Sequence, residues 1–245
     1  MKATPAEQKG LLRLQALDTK LAQVEHQAKS LAQHAELAAL ASQGEKTRAT
    51  LAARNGELED VRTELRRIES DVDVVEKRIA RDTERVDHSS SVKDVQALET
   101  ELAALRKRLF DLEEIEIAVM ERLEERESAV AEVQTEREAL SARVVETEQA
   151  RDAALADLNR QLADLTRDRA TIAGTISDEL GALYEKRRVV GRGNAAALLR
   201  ARTCSGCTMT LTGSDLEAVR SSPADDVVFC PDCGAILVRT EESGI

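Results

Sequence analysis

Large aromatic side chains are almost absent from this sequence. Its only aromatic residues are Phe110, Tyr184 and Phe229, and there is no Trp. A compact core in a chain of 245 residues usually takes much of its buried area from several large aromatics. Their scarcity, with 33% charged residues and many Ala, Leu, Glu and Arg, argues against an ordinary globular core. That composition is typical of long helices and coiled coils.

Long apolar runs and a surplus of positive charge are also missing. No stretch of about 18 apolar residues is present, so no membrane span is expected, and residues 1–10 lack the apolar stretch of a secretory signal. The net charge of −11 excludes a general attraction to nucleic acid, so any basic footprint must be local. The expected compartment is a reducing cytoplasm, where paired cysteines serve as metal ligands more often than as disulfides.

Apolar residues spaced alternately by three and four fill most of the chain, which is the a/d seam of a coiled coil. Thr4, Pro5 and Glu7 have the spacing of a capping box and predict the start of the first helix. Its seam runs to Val86. A polar cluster over residues 87–91 predicts a turn, after which a second helix begins at Val92. We therefore expect a mainly α fold: an antiparallel coiled-coil hairpin over residues 1–190, followed by a small β-rich zinc ribbon.

Two features of the helical part leave alternatives open. The first seam loses register between Ser42 and Gly56, where two glycines weaken the helix, so we expect a bend near residues 42–56. A parallel homodimer of long helices is the competing architecture. It would keep residues 87–91 helical, whereas a hairpin needs a turn there.

Four cysteines near the C-terminus form two Cys-x-x-Cys pairs: Cys204 with Cys207, and Cys230 with Cys233. Two intervening residues let a tight turn present both sulfurs to one metal, and four thiolates suit a structural Zn²⁺ in a tetrahedron. Gly234, after the second pair, permits the left-handed backbone that such a turn needs. The alternative, a redox dithiol, normally sits in a βαβ context that is absent here. We expect one structural zinc ion and no catalytic residue.

Short segments around the cysteines predict a C4 ribbon over residues 191–245. We expect strands at residues 196–202, 209–212, 227–229 and 235–239. Ser214 and Glu217 have capping-box spacing and predict a short helix that stops before Pro223. Phe229 is expected in the core of the ribbon. A domain this small buries too little apolar surface alone, so a metal is physically reasonable.

A basic cluster, the neck, lies between the second helix and the ribbon. It comprises Lys186, Arg187, Arg188, Arg192, Arg200 and Arg202. In an acidic chain this is the one predicted phosphate-contacting patch, for RNA or DNA. The alternative interpretation is structural, because cations favour helix C-termini and solubilise a linker.

The chain resembles a bacterial family of coiled-coil hairpin proteins with a C-terminal four-cysteine zinc ribbon. The resemblance rests on residues 92–99 at the hairpin turn, Gly191-Arg192-Gly193, and the two cysteine pairs with Pro231 and Gly234. Members usually have Glu-Tyr where this chain has Asp94-Val95. The resemblance implies a cytoplasmic, non-catalytic adaptor, whose relatives have been linked to an alternative sigma factor and to RNA binding.

Two functions follow from these observations. In the first, the ribbon and neck contact nucleic acid or a transcription-associated protein, and the coiled coil is a second interaction arm. In the second, the coiled coil is a structural spacer or chaperone-like clamp without nucleic-acid binding. Neither needs an enzyme activity, a small-molecule substrate or a membrane.

Overall fold

The computed structural model describes residues 1–245. In chain order the elements are α1 (Pro5–Lys29), α2 (Ala32–His88), α3 (Val92–Ala173), α4 (Asp178–Val190), β1 (Ala196–Arg200), β2 (Thr203–Cys204), α5 (Gly213–Ser221), β3 (Val228–Phe229), β4 (Ile236–Val238) and a 3₁₀ turn (Glu241–Ser243). The predicted fold class, a coiled-coil hairpin followed by a small ribbon with short strands, is confirmed. No helix combines the length and apolar character needed to cross a membrane.

The capping box at the start of α1 is formed as predicted. The Thr4 hydroxyl accepts a hydrogen bond from the Glu7 amide, while the Glu7 carboxylate accepts one from the Thr4 amide at 2.9 Å. The Thr4 and Ser177 groups that donate to it lower the pKa of Glu7. The carboxylate therefore stays ionised and fixes the first turn of α1.

Each predicted long helix is interrupted where the heptad pattern gave no sign of a break. The first stops at Lys29, where the Ser30 hydroxyl donates to the carbonyl of His26 and so competes with the helical hydrogen bond there. The second stops at Ala173, and Thr175 makes a similar local bond to the Ile172 carbonyl. Both breaks carry such a bond, but Thr50 and Thr83 make the same bond inside unbroken α2, so the bond alone does not explain where the helices end.

The helix continues without interruption through the region where a bend is expected. Residues 42–56 all lie within α2, and Leu140 of α3 lies 3.7 Å from the position that a Cβ on Gly44 would occupy. The bend near residues 42–56 stays a prediction.

One compact unit, residues 35–148, is built from α2 and α3. Ion pairs join Glu57 to Arg126, Glu64 to Arg122 and Arg78 to Glu101, so the pairing partner moves down the chain as α2 moves up it. That order is antiparallel within one chain. It is the arrangement of a hairpin and not of a parallel homodimer.

The seam of this unit is apolar except near its tip. Val61, Ile68 and Val119 form its buried centre. Asp82 takes the seam position after Ile79, and its side chain is only 5% exposed. Arg85 pairs with Oδ1 at 3.1 Å. The other oxygen, Oδ2, accepts no hydrogen bond and has only a longer ion pair with Arg78 Nε, at 3.6 Å. A half-satisfied buried carboxylate costs free energy that an apolar seam residue would not.

We expect the substitution Asp82→Leu to stabilise the hairpin by about 1–4 kcal/mol, because an apolar side chain removes the desolvation cost of the buried carboxylate. Urea unfolding of the full chain followed by circular dichroism measures the change. Asp73, exposed and paired with Lys77, is the matched control, and its change to Leu should be close to neutral. Loss of stability in Asp82→Leu would show that the carboxylate is a favourable part of the seam.

The other compact unit comprises residues 1–34 and 149–245, and the ribbon lies within it. Its sheet has the order β2-β1-β4-β3, with β1 parallel to β4 and antiparallel to β2. Successive residues of a strand point to opposite faces. Ala196 and Ile236 accordingly pack with Leu11, Leu14, Ile176, Leu180 and Tyr184 of the helices, whereas Ala197, Leu199 and Leu237 pack with the cysteines and α5.

The N-terminus is also part of the sheet region. Lys2 pairs with Asp226 as an isolated antiparallel bridge, and the Ala3 amide donates to the Asp225 carbonyl at 2.8 Å. The buried Gln8 amide donates to the carbonyls of Ala3 and Ala224. One face of the ribbon sheet therefore shares a core with α1, α4 and Ala3. The domain boundary expected between residues 190 and 191 stays a prediction.

Two details of the predicted ribbon are wrong. Residues 209–212 form no strand and contribute only the bridge between Thr210 and Thr203. The short helix α5 begins at Gly213 with Thr212 as its N-cap, and that side chain makes no capping hydrogen bond. The Leu211 side chain is instead drawn into the core beside the cysteines, which places the chain before α5 by packing and not by capping.

Candidate metal centre and basic neck

Two tight turns bring the four predicted ligands together. The ligand atoms of Cys204, Cys207, Cys230 and Cys233 all lie within 4.8 Å of one another, and none is in a disulfide. The Sγ atoms of Cys204 and Cys233 are 3.9 Å apart, and those of Cys207 and Cys230 are 3.7 Å apart. A tetrahedron with Zn–S of about 2.3 Å has sulfur–sulfur edges of about 3.8 Å. The donor set therefore fits one zinc ion and leaves no ligand position for water.

The two turns have the same backbone design. The Thr208 amide donates to the Cys204 carbonyl at 2.8 Å, and the Gly234 amide donates to the Cys230 carbonyl at 2.9 Å. Both donor residues have positive φ, 63° at Thr208 and 71° at Gly234. The predicted role of Gly234 is therefore confirmed, while the first turn places a β-branched residue in the same strained conformation.

Backbone amides near the sulfurs lower the pKa values of the cysteine thiols, whereas burial raises them. Burial raises the pKa of the Cys204 thiol, and it raises the pKa of the Cys233 thiol to about 12. A hydrogen bond from the Met209 amide lowers the pKa of Cys207. Zinc supplies the positive charge that the buried thiolates need, and its binding displaces their protons.

We expect Gly234→Ala to destabilise the ribbon by about 1–2 kcal/mol, because an L side chain is strained at this φ. Its Cβ would also lie 3.4 Å from a guanidinium nitrogen of Arg187. Thr208→Gly should be neutral or stabilising, since it removes the equivalent strain. Thermal unfolding and zinc release to a chromogenic chelator measure both changes.

Gly181 provides the matched control for these substitutions. It lies inside α4 with nothing within 4 Å of an added Cβ, so Gly181→Ala should stabilise by about 0.5–1 kcal/mol. Equal effects of Ala at Gly181 and at Gly234 would contradict the backbone argument.

The structure divides the six cations of the neck into two groups. Arg187 lies over the ring of Phe229, Arg188 donates to Glu185 at 2.8 Å, and Arg200 pairs with Glu242 at 3.2 Å. The other three are exposed and make no ion pair: Lys186, Arg192 and Arg202. Half of the predicted cluster is therefore committed to contacts within the protein.

Arg187 connects α4 to the second cysteine turn. Its guanidinium carbon lies 4.4 Å from the centre of the Phe229 ring, and its Nε is buried without a hydrogen-bond partner. Phe229 itself is 37% exposed, so the prediction that it belongs to the core is wrong. The ring covers the guanidinium instead, in a cation–π contact directly before Cys230.

A partly buried ionic network, which the sequence did not reveal, lies next to the neck and connects α1, α3 and α4. The Asp18 side chain is 8% exposed and accepts hydrogen bonds from the Tyr184 hydroxyl at 2.7 Å and from Arg169 Nε at 2.5 Å. Arg169 also contacts Glu185, which accepts a second bond from Arg188. Burial and the neighbouring Asp18 raise the pKa of Tyr184, so its hydroxyl remains a donor at neutral pH.

Opposing influences act on Glu185 in this network. Burial alone would raise the pKa of Glu185, but hydrogen bonds from Arg169 and Arg188 outweigh that effect and lower it. The carboxylate is therefore ionised at neutral pH and holds Arg188 against α4. Heptad analysis could not find this network, because Asp18 lies beside the seam and its partners are far away in sequence.

A groove of about 510 Å³ opens beside the network, between α1 and the end of α4. Arg188, Arg192 and Asn194 line one side of it, and Thr19 and His26 line the other. Gln15 holds the adjoining loop, because its side-chain amide donates to the Gly193 carbonyl and accepts from the amide of Ala195. Arg192 is thus presented from a loop fixed to α1.

Comparisons with known proteins agree with this organisation. Residues 14–192 match the family described as the CT398-like coiled coil hairpin domain, and residues 203–237 match the C4-type zinc ribbon domain. An uncharacterized protein of Mycobacterium tuberculosis is 32% identical over 242 residues, which are 98% of each chain. A Mycobacterium leprae protein is 24% identical over 221 residues, covering 90% of this chain and 95% of its own length.

Two solved structures have the same fold. One from Mycobacterium smegmatis has a TM-score of 0.87 and 34% identity, and the match covers 98% of this chain and 100% of that one. The structure of CT398 from Chlamydia trachomatis has a TM-score of 0.66 at 20% identity, covering 96% and 98% of the two chains. Together with the sulfur geometry, the ribbon match assigns one structural zinc ion to the four cysteines.

Proposed function

Because this chain belongs to the CT398-like coiled coil hairpin family, we propose that it is a non-catalytic adaptor of the cytoplasm. Its ribbon and neck contact nucleic acid or a transcription-associated protein, and its coiled coil is a second interaction arm. Both matched families are described by their architecture, a coiled coil hairpin and a C4-type zinc ribbon, and neither description names a catalytic activity. The four-thiolate centre leaves zinc no position at which to activate water.

The observation that carries the proposal is the set of free cations. Lys186, Arg192 and Arg202 are exposed and lack a carboxylate partner, in a chain whose net charge is −11. The ionic network around Asp18 fixes the helix that bears Lys186, and Gln15 fixes the loop that follows Arg192. Cations held on a rigid frame lose less entropy when they meet a phosphate.

One observation favours the second candidate, a structural spacer or protein clamp. Arg187, Arg188 and Arg200 are occupied by contacts within the protein, so the footprint available to nucleic acid is half as large as the sequence indicates. Phe229 is the one exposed aromatic nearby, and Arg187 already lies over its ring, so a stacking surface for bases is poorly supplied.

Binding to labelled single-stranded RNA and duplex DNA at several salt concentrations tests the proposal. The informative variant changes Lys186, Arg192 and Arg202 to Ala, since these substitutions leave every ion pair intact. We expect the zinc-loaded protein to bind one of the two nucleic acids, and the variant to lose about 2 units of the slope of log K against log salt.

The control changes the same charge elsewhere. Arg106, Lys107 and Arg108 are exposed on α3 and make no ion pair, so their replacement by Ala should leave nucleic-acid binding unaltered. Equal weakening by both triple variants would mean that only total charge matters. No binding by the wild type at low salt would reject nucleic acid and favour a protein client.

A further inference from the structure

The outer face of α3 exposes apolar side chains that the hairpin does not use. Phe110 is 61% exposed, Ile117 is 55% exposed and Met120 is 49% exposed. The hairpin seam at this level is made by Leu112 and Val119, which are buried. Phe110 is the only aromatic in the two long helices. Because it is exposed, its large side chain contributes little buried area to the hairpin.

These side chains have the spacing of a second coiled-coil seam. Ile117 follows Phe110 by one heptad and Met120 follows Ile117 by three residues. At 3.6 residues per turn, Ile117 lies about 20° around the helix from Phe110, and Met120 about 80°. Side chains at spacings of seven and three form a stripe that another helix can pack against. The occupant predicted by this geometry is therefore a helix.

Unpaired carboxylates surround the stripe. The ion pairs of this segment involve Glu127, Arg122 and Arg126. Seven further acidic residues of the segment make no ion pair: Asp111, Glu113, Glu114, Glu116, Glu121, Glu124 and Glu125. Glu113, Glu114 and Glu121 lie within about 60° of Phe110 around the helix. The exposed cations Arg106 and Lys107 also lie within about 60° of Phe110. Beside Ile117 and Met120 the unpaired charges are carboxylates, so positive charge is favoured on whatever covers that end of the stripe.

We propose that the face of α3 from Phe110 to Met120 is a docking surface for a basic amphipathic helix of a partner protein. The partner packs its apolar residues between Phe110, Ile117 and Met120, and its Lys or Arg side chains pair with the flanking carboxylates. The contact is a third helix laid on the hairpin. It rests on the proposed role of the coiled coil as an interaction arm and is independent of the neck.

The size of the stripe sets the expected strength. Three partly exposed side chains and a few charge pairs form an interface well below the size of a stable protein–protein contact. We therefore expect a dissociation constant of the order of micromolar, and binding that weakens as salt screens the exposed charges.

The test uses a fluorescent synthetic peptide of about four heptads with Leu at a and d and Lys at the flanking positions. The repulsion between lysines discourages its self-association. We expect fluorescence anisotropy to show binding to the full zinc-loaded chain, and at least a tenfold loss, or about 1.4 kcal/mol, in the variant Phe110→Ser with Ile117→Ser. Both sites are exposed, and circular dichroism checks that the variant retains its helices.

Three controls make the outcome decisive. Val145→Ser, also exposed on α3, should leave peptide binding unchanged, and a peptide with Glu in place of Lys should not bind. The triple neck variant should bind the Lys peptide normally, while Phe110→Ser with Ile117→Ser should bind nucleic acid normally. The docking proposal and the nucleic-acid proposal are then tested independently of each other.

Three results with the peptides would overturn the docking surface. They are equal peptide binding by wild type and by Phe110→Ser with Ile117→Ser, no binding up to about 1 mM peptide, and equal binding of the Glu peptide. Concentration-dependent self-association that this variant abolishes, and that the Lys peptide fails to compete, would assign the face to a second copy of the chain and also overturn the proposal.

Discussion

Replacing Asp18 by Ala is expected to destabilise the compact unit of residues 1–34 and 149–245 by about 3–5 kcal/mol. Breaking a buried ion pair leaves the partner charge buried without its counter-charge. The Arg169 guanidinium would keep only Glu185, and the fully buried Tyr184 hydroxyl would lose its acceptor. Arg188, whose Nε lies 3.9 Å from Asp18, would lose that longer contact and keep its hydrogen bond to Glu185. Thermal and urea unfolding of the zinc-loaded chain measure the loss.

Two milder variants separate the contributions. Tyr184→Phe removes one hydrogen bond while Asp18 keeps Arg169, so it should cost about 0.5–1.5 kcal/mol. Asp157, exposed and paired with Arg160, gives a matched control, and Asp157→Ala should change stability by less than about 0.5 kcal/mol. If Asp18→Ala proved as mild as Asp157→Ala, the network would be a surface feature without structural weight.

Local signals in the sequence were sufficient for the parts of the fold that depend on nearby residues. The capping box at Thr4, the new helix at Val92 and the positive φ at Gly234 each follow from a few adjacent positions. The convergence of the cysteines was equally predictable, because two residues between ligands already fix each turn. These features need no knowledge of what packs against them.

The remaining features depend on contacts across long sequence separations. Asp18 contacts Arg169 and Tyr184 only when α1, α3 and α4 come together. No local sequence motif marks any of the three residues. The number of free cations in the neck was overestimated for the same reason, since Arg187 makes a cation–π contact with Phe229 of the ribbon. The break after Lys29 was missed because the apolar spacing continues across it, from Ala28 to Leu31 and Ala35.

Removal of zinc is expected to cause the largest loss of stability, and to confine that loss to the compact unit of residues 1–34 and 149–245. Structural zinc sites supply about 10–16 kcal/mol of binding free energy at neutral pH, which the ribbon cannot replace by burial. Cys204 and Cys230 belong to the core on one face of the sheet, and Ala196 and Ile236 of the same sheet belong to the helical core on the other face. Loss of the metal should therefore spread from the cysteines to both faces.

Hydrogen exchange with mass spectrometry, before and after treatment with a strong chelator, follows that spread. We expect amides of residues 195–238 and of residues 1–3 to lose protection, because the N-terminal bridge to Asp226 depends on the ribbon. Amides of α2 and α3 within residues 35–148 should be unaffected, since these residues form the other compact unit with its own buried seam. Addition of zinc should restore the original pattern.

The same experiment distinguishes a shared core from a detachable ribbon. In the shared core, zinc loss also exposes α1 around Leu14 and α4 around Tyr184, because these side chains lose the packing of β1 and β4. In a detachable ribbon, exchange would rise only after residue 190 and leave α1 protected. Cys204→Ser with Cys233→Ser should reproduce the chelated state without any chelator. A variant that kept full protection would show that burial alone holds the sheet, and the zinc would then have no structural role.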